Sequence, residues 1–318
     1  MSIVVYTESD QGRFKKAAFE VSSYARAVAD LLGTSVTAVT INAENAEELG
    51  QYGVDKVLSI THDGQFNAKI YAHYIKQAAD HESADTIIIG SSADSRYLAP
   101  ILAVGLNAVY ASNVVAIPTS TSPFTVKRNT FTNKAYGFTE MKSQRKLIGL
   151  SSNSFGLVEK SVSVAVESFA PTTVQSSINV QSVDKAGGKV SIADADIVVS
   201  GGRGLKGPEN WGMIEELAEV LGAATACSKP VSDLGWRPHS EHVGQTGKPV
   251  ASNLYIAIGI SGAIQHLAGV SASKVKVVIN TDAEAPFFKA ADYGVVGDAF
   301  EVVPKLIEKL KEFKAKNA

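Results

Sequence analysis

Four short stretches in the C-terminal half of the chain bring glycines, hydroxyls, amides and cationic side chains together in patterns suited to an anionic or flat ligand. In SGGRGLKG (200–207) the glycines permit close backbone approach, Arg203 and Lys206 bring positive charge, and a following helix offers unpaired N–H groups to an anion. The same pattern also arises as a purely structural turn, and it is neither a G-x-x-x-x-G-K-[ST] phosphate loop nor a G-x-G-x-x-G fingerprint. CSKP (227–230) places Ser228 and Lys229 after a candidate strand, and EHVGQTGKPV (241–250) packs an imidazole, an amide, a hydroxyl and a lysine around two glycines. In GISGAIQH (259–266), Ser261 stands where a helix should begin, so it can act as an N-cap or bond a phosphate. His266, one helical turn on, reads as a packed, surface or functional histidine. Asn280 can close a turn or hydrogen-bond a ligand, and Asp298 can take ribose hydroxyls or cap a helix.

Other chemistries find less support. His239, Glu241 and His242 suggest a metal site without a further ligand cluster, so no metal is expected. The single cysteine, Cys227, excludes a cysteine-ligated iron–sulfur cluster and an internal disulfide, and no G-x-S-x-G elbow supports serine catalysis. With 30 Lys+Arg against 32 Asp+Glu the net charge is -2, which gives no general pull toward nucleic acid. The start, MSIVVYTESD, lacks the regions of a targeting segment, and no run reaches the ~18 apolar residues of a membrane span, so a cytoplasmic protein is expected.

The elements that must position these residues follow from hydrophobic periodicity. Runs at 2–7, 34–42, 56–60 and 85–92 read as buried strands, and 15–33 and 67–81 as amphipathic helices, the first stopping at Gly33. Strands alternating with helices argue for a parallel sheet. The stretch 124–155 alternates polar with apolar or aromatic residues, which predicts antiparallel hairpins. A second alternation follows: strands at 196–204, 223–227, 254–260, 274–280 and 293–297, with helices over 208–222 and 302–314. The fold class expected is therefore α/β in two domains: residues 1–185 with a parallel sheet plus antiparallel hairpin strands, a polar linker at 186–195, and a doubly wound, Rossmann- or flavodoxin-like domain over 196–318. In such a domain a ligand sits at the carboxyl ends of the strands.

Taken together, SGGRGLKGPENW (200–211), VGQTGK (243–248), LYIAIGISGAIQHLAG (254–269), the stretch from Ile279 to Gly294 and the final VVP (302–304) closely resemble the α subunit of electron transfer flavoprotein. Order and spacing are intact across the second domain, while the first resembles that family only in layout. The resemblance implies flavin adenine dinucleotide (FAD) held by the second domain, and a heterodimer with a β subunit that contacts the first. It also implies a shuttle of electrons from dehydrogenases, such as the acyl-CoA dehydrogenases of fatty acid β-oxidation, to a quinone-reducing oxidoreductase or other acceptor. The protein is then a carrier with no catalytic residue of its own.

By position, the resemblance places Arg203 and Ser228, with Lys229 beside it, against the flavin. Val243, Gly244, Gln245 and Thr246 form the loop beside the isoalloxazine ring, with the Thr246 hydroxyl on N5. Ser261, Gly262, Ala263, Ile264, Gln265 and His266 make the phosphate-facing turn and bring the imidazole near the pyrimidine carbonyl, and Asn280 and Asp298 hold the phosphate and adenosine side. An imidazole there, protonated or donating N–H, favours negative charge on the ring. Two departures stand out: Lys229 replaces the family's usual arginine and loses its planar fork, and His242 replaces a glutamine familiar in some members. The alternatives are an electron-bifurcating version with a second flavin that takes electrons from NADH, and a sensor module binding ATP or AMP through residues 1–185 without redox work.

Overall fold

The computed structural model describes residues 2–131, 133–178, 180–183, 191–192 and 195–317. The chain divides into two compact units, Met1–Thr130 with Ala135–Asp184, and Lys185–Ala318 with Phe131–Lys134. Of the expected linker 186–195, all but 191, 192 and 195 lie outside the described residues; Ile192 and Ala195 are buried in the apolar core of the second unit.

The first unit comprises β1 (Ser2–Thr7), β2 (Ser9–Asp10), β3 (Arg13–Phe14), α1 (Lys16–Leu32), β4 (Ser35–Ile41), β5 (Lys56–Ile60), α2 (Ala68–His81), β6 (Thr86–Ile89), α3 (Ala93–Leu106), β7 (Val109–Val114), β8 (Ser120–Thr121), β9 (Phe124–Thr130), β10 (Ala135–Glu140), β11 (Lys146–Leu150) and β12 (Ala165–Ser168). The main sheet runs β10-β9-β7-β11-β6-β1-β4-β5-β12 with β8 beside β9. Alternate residues of β1 face opposite layers: Ile3 and Val5 pack with Val21, Tyr24 and Val28 of α1, and Val4 and Tyr6 with Ile75 of α2 and Leu98 of α3. Gly33 ends α1 in the left-handed conformation.

Two expectations fail in this unit. The strand predicted over 85–92 ends at Ile89, because the Ser92 hydroxyl accepts from the Ser95 N–H at 3.0 Å and starts α3, a helix hidden by Pro100. That proline lies on the helix's exposed face. Within 124–155 only β9 and β10 form the expected antiparallel pair; β11 runs parallel between β6 and β7, and its apolar Leu147, Ile148 and Leu150 are buried in both layers. The order of the sheet reverses between β1 and β6. At that point the buried Glu8 carboxylate accepts from the hydroxyls of Ser92 and Ser95, both at 2.6 Å, and pairs with Lys15 at 3.0 Å.

The second unit comprises β13 (Ile197–Gly201), α4 (Gly212–Leu221), β14 (Ala224–Cys227), α5 (Lys229–Asp233), β15 (Leu254–Ile258), α6 (Ile264–Val270), β16 (Val275–Asn280), β17 (Tyr293–Val296) and α7 (Ala299–Asn317). All five strands are parallel in the order β14-β13-β15-β16-β17, the doubly wound arrangement expected. Val199, Ile256 and Ile258 pack against Ile214 and Leu217 of α4 and Val303 and Ile307 of α7, while Val198, Tyr255 and Ala257 face a layer containing Val243, Val250 and Phe287. No described helix is long and apolar enough to cross a membrane.

Chain order reverses between β13 and β15, so the turns leaving these two adjacent strands compete for the same space. Glycine resolves the conflict. The Gly202 N–H donates to the Ile258 carbonyl at 2.9 Å and the Gly204 N–H to the Gly259 carbonyl at 3.1 Å, and a Cβ on Gly202 would lie 2.1 Å from the Gly259 oxygen. Gly259 itself has a φ of 64°. The clash is with backbone, so relaxation must move a whole turn, and Gly202→Ala is expected to destabilise the second unit by roughly 1–3 kcal/mol. Trp211 and Trp236, the only two tryptophans, both lie in that unit, so their fluorescence during urea unfolding reads the shift; an unmoved midpoint would contradict the crossing.

Candidate functional site

Four of the stretches singled out in the sequence meet at the carboxyl edge of the second sheet. The turn after β13 exposes Arg203 and Lys206, whose ammonium lies 3.8 Å from the Asp298 carboxylate and over the Phe300 ring at 4.9 Å. Ser228 follows β14; it is buried, and its N–H donates to the Gly201 carbonyl at 3.1 Å. Lys229 stands exposed at the start of α5.

The loop 242–248 is tied down at both ends. Its base pairs with β14 through Val243 N–H to the Cys227 carbonyl (3.0 Å), and it closes on itself through Lys248 N–H to the His242 carbonyl (2.8 Å). Gln245 N–H donates to the Gln265 carbonyl and Val250 N–H to the Gly269 carbonyl, each at 2.8 Å, fastening the loop to α6. This docking needs bare backbone, since a Cβ on Gly269 would lie 2.5 Å from the Gly244 Cα. The outcome leaves the side chains of Gln245 and Thr246 exposed while Val243 and Gly244 are buried.

The turn before α6 presents donors. None of the main-chain N–H groups from Ser261 to Gln265 donates to an acceptor among the described residues, and Ser261, Ala263, Ile264 and Gln265 are exposed. Ala263, not Ser261, occupies the N-cap position, and no side chain caps the helix; the Ser261 carbonyl instead accepts from Phe287 N–H at 3.0 Å. His266 is buried, and its Nε2 lies 2.9 Å from the Tyr255 hydroxyl, while Nδ1 makes no hydrogen bond. Burial pushes this imidazole down to about 4, the His242 ring pushes the same way, and the Val243 carbonyl opposes them. Burial therefore favours the neutral form of this imidazole at physiological pH.

His242 does not point to solvent. It is 1% exposed beneath its own loop, with Nδ1 unbonded, and a Cβ on Gly244 would sit 3.4 Å from its Nε2 and 3.3 Å from the Gln265 oxygen. Burial, then the neighbouring His239, lowers its pKa. Among the described residues no group of three or more His, Cys, Asp or Glu side chains could hold a metal ion.

Asn280 and Asp298 are committed to the scaffold. Asn280 Nδ2 donates to the Ile260 carbonyl at 3.1 Å and Oδ1 accepts from Asp282 N–H at 3.0 Å, while Asp298 Oδ1 accepts from Phe300 N–H at 3.0 Å at the start of α7. Tyr255 and Arg237 escaped the sequence reading, and Glu241, weighed there as a metal ligand, plays a supporting part instead. Tyr255 looks like one more apolar residue of a strand. Arg237 and Glu241 form a bidentate pair (2.8 and 2.7 Å) that steadies the approach to His242, and the arginine also lies over the Trp211 ring at 5.3 Å. Only their i, i+4 spacing marks that pair in the sequence.

Comparison with known proteins agrees on one family. Residues 3–174 match the family model described as "Electron transfer flavoprotein domain", and residues 191–271 that described as "Electron transfer flavoprotein FAD-binding domain". The chain is 35% identical to the electron transfer flavoprotein subunit alpha of Bacillus subtilis, covering 98% of this chain and 97% of the relative. It is 34% identical to that of Syntrophomonas wolfei, over 97% and 98%. A mitochondrial counterpart from Arabidopsis thaliana is 56% identical over 123 residues, 39% of this chain and 34% of the relative.

The buried neutral histidine has a consequence for stability. Its folded-state value of about 4 lies below the ordinary 6.5, so the unfolded chain takes up a proton first as pH falls. Stability is full above about pH 6.5 and declines toward pH 4, by on the order of 3 kcal/mol from this one group. His266→Gln is expected to flatten that part of the acid slope, measured by urea unfolding of the flavin-free chain at stepped pH; parallel slopes for the two proteins would refute the assignment.

Proposed function

The chain belongs to the electron transfer flavoprotein α-subunit family and its second unit contains that family's FAD-binding domain, and from that premise we propose that it shuttles electrons as one half of a heterodimer. The observation that carries this reading is the edge between β13 and β15. There, five unbonded main-chain N–H groups and two buried imidazoles with unbonded Nδ1 atoms sit on loops fastened to one another. Free N–H groups are the rule at a helix start, but the two buried imidazole nitrogens without partners are not, and an FAD molecule, with a diphosphate and a polar-edged ring, matches this set.

When bound, FAD supplies a ring able to accept and release electrons. The residues of this chain hold it. Arg203 and the amides of 261–265 offer a positive field to the diphosphate. Val243 to Thr246 give the ring a close backbone wall, Gln245 helps place it, and the Thr246 hydroxyl, which can donate or accept, addresses N5. Ser228 and Lys229 border the ring, and His266 offers an N–H toward the pyrimidine carbonyl. Asn280 and Asp298 hold the phosphate and adenosine side mainly by fixing the turns that other groups occupy.

Dehydrogenases, acyl-CoA dehydrogenases among them, are the proposed donors and a quinone-linked oxidoreductase the acceptor, with the work done in the cytoplasm. The designation "subunit alpha" of the relatives supports a β subunit as partner. So does the first unit, where Tyr97, Ile101 and Val104 make an exposed apolar stripe along α3. A nucleotide-sensing role for residues 1–185 finds a counter-observation in Glu8, whose carboxylate occupies the place a phosphate takes at such a switch point.

Purified with its β subunit the chain is expected to be yellow, and a colourless complex that takes up no FAD on reconstitution would end this reading. Arg203→Ala is expected to weaken FAD binding by about tenfold or more, the usual cost of a charge-assisted contact, measured by flavin fluorescence on dilution. Lys229→Arg, which restores the planar fork, is expected to shift the flavin midpoint potential in a spectrally monitored redox titration.

A further inference from the structure

We propose that Tyr255 is a positioning residue for His266, its buried hydroxyl donating to Nε2 so that the imidazole proton stays on Nδ1, the buried nitrogen left without a partner and assigned here to FAD. The inference rests on the reading above that His266 faces the flavin. Tyr255 lies in β15, the strand at the switch point, and is fully buried. Its ring stacks parallel to Phe287, with centroids 6.3 Å apart and planes 1° apart. Phe287 is in turn anchored by its N–H to the Ser261 carbonyl at 3.0 Å. The phenol therefore has little freedom to swing, and its hydroxyl meets Nε2 at 2.9 Å.

Two polar neighbours decide where the proton sits. A neutral imidazole has one donor and one acceptor, and a protonated phenol can serve either role. Burial keeps the imidazole neutral and also raises the Tyr255 phenol, so neither ionises near neutral pH. The second neighbour is the Val243 carbonyl, whose effect is to favour a proton on the ring. A carbonyl only accepts. With Nε2 facing the hydroxyl, a carbonyl field that favours a proton on the ring is met when Tyr255 donates to Nε2 and the proton sits on the other nitrogen, Nδ1. That nitrogen is buried and makes no hydrogen bond among the described residues. A donor fixed in advance stabilises negative charge growing on the ring without waiting for a proton to move.

The test uses the flavin-loaded complex with the β subunit, labelled with nitrogen-15 histidine, the His266 signals being identified by their loss in His266→Gln. The expected spectrum has Nδ1 as the protonated, pyrrole-type nitrogen and Nε2 as the pyridine-type one. Tyr255→Phe keeps the ring and its stack; it is expected to move the proton at least partly to Nε2, weaken FAD binding by about three- to tenfold and lower the midpoint potential. A wild-type spectrum with the proton on Nε2 overturns the proposal, and so does a phenylalanine variant with tautomer, affinity and potential all unchanged. Should that variant fail to fold, the wild-type spectrum decides alone. A complex that binds no FAD sinks the functional reading instead, and the tautomer of the flavin-free chain still answers the narrower question.

Discussion

Everything at the second unit's edge hangs on two turns crossing where neither has a side chain. Parallel strands lie under 5 Å apart, and the turns leaving β13 and β15 depart from neighbouring positions in opposite senses around the sheet. Gly202 and Gly204 against Gly259 let main chain meet main chain, and the bonds to Ile258 and Gly259 lock the meeting. Arg203 is thereby thrown outward. Ser228 is then placed by its bond to Gly201, and the loop 242–248 by its bonds to Cys227 and Gln265, so each candidate ligand-contacting group inherits its position from the crossing.

The electrostatic character of the edge follows from depth. Charged groups, Arg203, Lys229 and Lys248, remain at the surface, where they keep their hydration and attract an anion. The imidazoles are buried, and desolvation strips them of charge but not of their N–H dipoles. A buried cation beside a redox ring would favour one charge state strongly; a buried neutral donor favours it more gently and costs far less to fold around. His242, despite standing where glutamine is familiar, preserves this logic as a neutral side chain that can donate and accept.

Much of this was legible in the sequence. Strands 2–7 and 56–60 appear as read, because short runs rich in apolar residues between turn signals and helices admit few other fates, and the carboxyl-edge placement of the glycine clusters followed from alternating strands and helices. What escaped has physical reasons. Pro100 masks α3, since a proline on the exposed face breaks the pattern without breaking the helix. β11 looked like a hairpin strand because periodicity reports burial and not the direction of the neighbours. Tyr255 was invisible as a functional residue because its neighbour in space, His266, lies eleven residues on, across the turn that only the folded sheet closes.

The two switch points of this protein show how one topological feature takes opposite fates. Between β1 and β6 the helix N-terminus of α3 meets a carboxylate of the chain itself, Glu8, held by two hydroxyls and an ammonium. That site is complete. Between β13 and β15 the corresponding amides before α6 meet no acceptor among the described residues, although the turns around them are fixed by backbone bonds from Asn280 and from Asp298 Oδ1. A site whose walls are satisfied and whose lining is not is shaped before any ligand arrives, so the ordering that binding usually demands has been done by folding.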